Sequence, residues 1–188
     1  MRAQIKAPWF FYFLFLPFLF TSSTQAEIKP ESVHLAENKK TQKYVKDGLI
    51  LGGDQAITDV VVQDIRRAMN PQFERVVIDL MGQNGGEIKT LPRAPYYQIA
   101  MQEPENRIVV TVWGQPSLKF NAKKISRAFH GSRVVKNLVL LPKLEEDSWT
   151  FALELKPNAQ LEVFELANPI RLILDIQQKA AGAPRNRS

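Results

Sequence analysis

The chain is 188 residues long, carries a formal net charge of +6, and contains no cysteine and two histidines. The lack of cysteine excludes a disulfide framework, a thiolate metal site and a lipid anchor at a processing cysteine. The charge is modestly basic, which suits an anionic polymer or membrane surface but is also common for solubility alone.

Export is read from the first residues. Arg2 and Lys6 precede an apolar run from Trp9 to Phe20, interrupted only by Pro17, and the run gives way to Thr24-Gln25-Ala26. A basic start, an apolar stretch and a small-x-small boundary together form a secretory signal peptide, here residues 1–26, cleaved after about Ala26. The run is shorter than the ~20 apolar residues a spanning helix needs. No stable transmembrane anchor is expected, and the alternative is an uncleaved one. For an exported chain no nucleic acid partner is expected.

Residues 27–56 are mostly polar and charged, as in Glu37-Asn38-Lys39-Lys40-Thr41-Gln42-Lys43, and read as a flexible leader with little fixed structure. Residues 57–177 carry the folded domain. There the apolar period is two: Val76, Ile78 and Leu80; Ile108, Val110 and Val112; Phe151, Leu153 and Leu155; Leu172, Leu174 and Ile176. Alternation of this kind predicts half-buried strands. Further strands are expected at 60–69, 96–102, 134–141 and 161–166. A helix is expected over Ala122 to Phe129, capped by Asn121 and stopped by Gly131. Residues 178–188 read as a disordered basic tail.

The strand pattern repeats. Val62-Gln63-Asp64-Ile65 corresponds to Val135-Lys136-Asn137-Leu138, Arg75 to Leu80 corresponds to Thr150 to Leu155, and Arg107 to Val110 corresponds to Arg171 to Leu174. The expected fold is therefore all-β: a sandwich of two similar four-stranded sheets from an internal duplication, with the helix near 122–129 connecting them.

Catalytic signatures are scarce. There is no H-E-x-x-H, no phosphate-binding loop and no G-x-S-x-G. No catalytic residue, metal or cofactor is expected, and the protein is read as non-enzymatic. Candidate binding residues lie on the outer parity: Arg75 and Asp79, Arg171 and Asp175, Arg107, and the aromatic Trp113, with Tyr96 and Tyr97 at a strand start. Such rows can hydrogen-bond a polar ligand, and aromatic faces can stack on sugar rings. The alternatives are ordinary cross-strand ion pairs and aromatic residues that cap the core edge. On the first view Arg171 and Asp175 matter to a partner and little to the fold. Ile173, also outward, should tolerate truncation better than the inward Leu174.

The strand motif Arg75-Val-Val-Ile-Asp79-Leu80, repeated as Arg171-Leu-Ile-Leu-Asp175-Ile176 after Asn168-Pro169-Ile170, resembles the AMIN domain family. Thr111 and the Thr150/Glu154 strand depart from the motif. AMIN domains are envelope-targeting modules of periplasmic N-acetylmuramoyl-L-alanine amidases and type IV pilus secretins. The resemblance implies a periplasmic, non-catalytic module that binds peptidoglycan, through glycan or stem peptide, and localises to the wall or septum. The alternative it implies is an adaptor for a secretin, pilus or amidase complex without wall affinity.

Overall fold

The structure is a computed structural model that describes residues 33–178. The expected signal peptide, the first residues of the leader and the tail beyond Gln178 lie outside the described residues.

Four hairpins build the body of the fold. They are β3 (Val60–Met69) with β4 (Glu74–Asn84), β6 (Tyr97–Gln102) with β7 (Arg107–Trp113), β9 (Val135–Leu140) with β10 (Ser148–Leu155), and β11 (Ala159–Leu166) with β12 (Arg171–Gln178). Short strands extend them: β1 (Val33–Leu35), β2 (Gly48–Gly52), β5 (Glu87–Lys89) and β8 (Ser117–Leu118). Among the described residues this gives two six-stranded sheets rather than the expected four-stranded ones. One runs β1-β2-β6-β7-β10-β9; the other runs β11-β12-β4-β3-β8, with β5 attached to β4.

The duplication is present, but it does not give one sheet per half. Each half contributes one hairpin to each sheet. The halves meet where β7 pairs with β10 and where β12 pairs with β4, both antiparallel. The register at these two junctions is the same: Val110 opposes Phe151 as Leu174 opposes Val76, and Ile108 opposes Leu153 as Leu172 opposes Ile78. Neighbouring strands pair through short turns. Exchanging hairpins then lets each half bury its apolar face against the other, so neither stands alone.

The inward residues are those that alternation picks out. Val76, Ile78, Leu80, Ile108, Val110, Val112, Phe151, Leu153, Leu172, Leu174 and Ile176 are fully buried, and Leu155 is nearly so, in one continuous core. Each such side chain contributes roughly 1.5–3 kcal/mol of transfer free energy. The helix α1 (Ala122–Phe129) packs against β3 and β9 and so bridges the two sheets along one edge. Asn121 caps it by accepting from the Lys124 amide at 3.0 Å, and Ile125 and Phe129, one turn apart, face inward.

Residues 33–56 are not a loose leader. Strands β1 and β2 lie parallel at the edge of the first sheet beyond β6. The connection between them, residues 36–47, crosses to the second sheet and runs along its edge strand β11. Glu37 accepts from the Glu165 amide at 2.8 Å, and Val45 and Leu161 exchange two backbone hydrogen bonds of 2.8 Å. The outer face of that second sheet is also less wet than alternation implies. Val77, Ile173 and Phe164 stand in register across β4, β12 and β11 and are buried as a second apolar cluster.

Candidate functional site

The outward Arg and Asp residues of β4 and β12 face one another in register, Asp175 opposite Arg75 and Arg171 opposite Asp79. Only the first pair closes. Arg75 donates from Nε and Nη2 to the two oxygens of Asp175 at 2.6 and 2.8 Å, and Asp175 is completely buried. The hydrogen bond to Asp175 raises the Arg75 pKa further, more than burial lowers it. Asp79 instead accepts both donors of Arg66, at 2.6 and 2.8 Å, while the buried Nε of Arg171 makes no hydrogen bond. Arg107, on the other sheet, donates to Gln102 at 3.0 Å. The repeat position of the Arg75–Asp175 pair is held there by Thr111 and Thr150, whose hydroxyls lie 2.9 Å apart.

The connection over β11 adds to this cluster. Lys40 forms an ion pair with Asp175 and a second, at 3.3 Å, with Glu162 on β11. Glu162 is itself 2% exposed and accepts the Thr41 amide at 2.6 Å and also the Gln42 amide. The Lys40 ammonium sits 3.9 Å from the centroid of the Phe73 ring. Burial lowers the Lys40 pKa, but hydrogen bonds and charge from Asp175 and Tyr44 outweigh it, so the net shift is upward. Asp175 is thus a structural anchor rather than a group open to a large ligand.

Tyr97 is also not available. It alternates with Ile99 and Met101, all three inward and buried, and its hydroxyl donates to Glu165 Oε1 at 2.9 Å. Burial first, and the Glu165 charge second, hold the phenol proton far above its ordinary range. A Cβ at Gly52 would lie 2.3 Å from that hydroxyl, which is why glycine stands there.

Of the aromatic residues that the sequence singled out, Tyr96 and Trp113 are partly exposed. Both are half-buried, and their rings pack at 5.1 Å with a 44° tilt. Tyr96 is fixed by the Gln98 side-chain amide, which donates to its hydroxyl at 2.8 Å. Two recesses meet at Tyr96 and Gln55. The larger, about 950 Å³, runs from Asn38 past Arg93 to Glu165; the smaller, about 350 Å³, is walled by Trp113, Thr58 and Asp147. An Arg93–Asp54 ion pair of 3.3 Å stands beside the larger one, with Arg93 largely in solvent. The groove thus offers ring faces, amides, hydroxyls and both signs of charge. Alternation puts Trp113 on the outer parity, where the structure leaves it half-buried, but sequence reading did not separate Tyr96 from the inward Tyr97. It had no signal for Arg93, Asp54 and Gln55, which come from loops.

Among the described residues no group of three or more histidine, aspartate and glutamate side chains is placed to hold a metal ion, and no helix is long and apolar enough to cross a membrane. The geometry defines a β-sandwich with an aromatic-lined groove at its rim. No protein-family model matches the chain, and no curated protein matches it.

Proposed function

We propose that the protein is a non-catalytic module of the cell envelope that binds peptidoglycan along the groove at Tyr96 and Trp113. The observation that carries this reading is the accessible Tyr96–Trp113 pair, held at 5.1 Å beside a recess of about 950 Å³. Pyranose C–H faces pack on such rings, and Gln55 and Arg93, which line the recess, are chemically able to hydrogen-bond hydroxyls and stem-peptide carboxylates. The wall as ligand, and the periplasm as compartment, follow from the signal-like first residues and from the resemblance of the two Arg-x3-Asp strands to AMIN domains. In this reading the Arg75–Asp175 pair maintains the fold, and the groove does the binding.

A second reading is an adaptor for a secretin or pilus complex. It is favoured by edge strand β1, where Val33 is 40% and Leu35 80% exposed, a site for strand addition. Co-sedimentation with purified sacculi tests the choice. Retention on sacculi is the expected result. Binding to a secretin complex but not to sacculi would favour the adaptor, and release of soluble wall fragments would overturn the non-catalytic reading.

A further inference from the structure

The cluster around Lys40 has the composition of a binding site that already holds its ligand. Two carboxylates, Asp175 and Glu162, are 0% and 2% exposed, and one of them, Asp175, is engaged by the fork of Arg75. One buried negative charge therefore remains to be met by another cation. Lys40 meets it, through Asp175, Glu162 and the Tyr44 hydroxyl at 3.2 Å, with the Phe73 ring closing the fourth side. The fit is incomplete. Glu162 Oε2 lies 3.3 Å from the ammonium but is not aligned for a hydrogen bond, and it has no other partner although it is buried.

We propose that Glu162, Asp175 and Phe73 form a binding site for a primary ammonium on a slender alkyl chain, occupied in the resting protein by Lys40. The shape suits this group. Three polar contacts and one aromatic face match the three donors and the diffuse charge of an alkylammonium. A guanidinium is too broad and planar for the same seat, and a hydrated metal ion gains little from a phenyl ring. Phe73, Glu162 and Asp175 belong to the sandwich, whereas Lys40 and Tyr44 lie on the connection that crosses β11. Loss of the lysine therefore leaves three walls standing.

The experiment uses Lys40→Ala with n-butylammonium chloride as probe and sodium chloride at equal ionic strength as control. n-Butylammonium should raise the melting temperature of the variant saturably, by about 4 °C at tenfold over its Kd. The wild type should not respond. Lys40→Met, whose side chain fills the channel of the lysine stem, should be equally unresponsive. If Lys40→Ala does not fold in sodium chloride, n-butylammonium in the refolding buffer should restore folding. Equal effects of the two salts, or failure to fold in both, would overturn the site.

Discussion

Arg75 and Asp175 lie 100 residues apart in the chain and opposite one another on β4 and β12, and the guanidinium clasps the buried carboxylate with two hydrogen bonds of 2.6 and 2.8 Å. They come from different copies of the repeat, so the pair ties the two halves of the fold together. Its aromatic bed is Phe73 and Phe164, whose ring centroids lie 5.1 and 5.4 Å from the Arg75 guanidinium carbon.

Truncating Asp175 should therefore damage the fold. Asp175→Ala leaves Arg75 and Lys40 without their shared carboxylate, and should cost about 3–5 kcal/mol in urea unfolding. Asp79→Ala breaks a pair whose Arg66 side chain is 51% exposed, and should cost below about 1 kcal/mol. Equal losses would show that burial does not set the strength of these pairs.

Ile173→Ala should cost about as much as Leu174→Ala, roughly 2–5 kcal/mol each. Ile173 is on the outer parity but only 1% exposed, packed with Val77 and Phe164. Chevron or equilibrium denaturation of the two variants decides this. A clearly milder Ile173 variant would mean that the outer cluster opens in solution.

Stability should fall at alkaline pH. Tyr97 and Lys40 both bind their protons more tightly folded than unfolded. A raised folded pKa gives stability that is intact below the unfolded pKa and lost as pH rises through the folded one. Unfolding free energy should be level to about pH 10, the ordinary range of both groups, and decline above it. Tyr97→Phe should soften that decline. A level profile to about pH 11.5, roughly 1.5 units beyond the ordinary tyrosine value, would contradict the buried, protonated phenol.

Much of this architecture is legible in the sequence. The alternation in β4, β7, β10 and β12 identifies the core, and Asn121 and Gly131 bracket the helix. Period two tells which way a side chain points but not which strand lies beside it, so the exchange of hairpins between sheets stays hidden. Residues 36–47 read as a leader because their hydrogen-bond partners, Leu161, Glu162 and Glu165, lie more than a hundred residues away. Tyr97 carried a usable signal: it shares parity with Ile99 and Met101, which places it inward and its neighbour Tyr96 outward. The groove is harder to read, since Asp54, Gln55 and Arg93 come from turns without periodicity.

The central claim is that the rim groove, and not the Arg–Asp rows, binds the wall. Its most direct test is co-sedimentation of the double variant Tyr96→Ala, Trp113→Ala with purified sacculi, beside wild type and an Arg171→Ala control. The account predicts about tenfold weaker retention of the double variant, about 1.4 kcal/mol, with unchanged retention of the control and a cooperative melt in both. Wild-type retention of the folded double variant would contradict it.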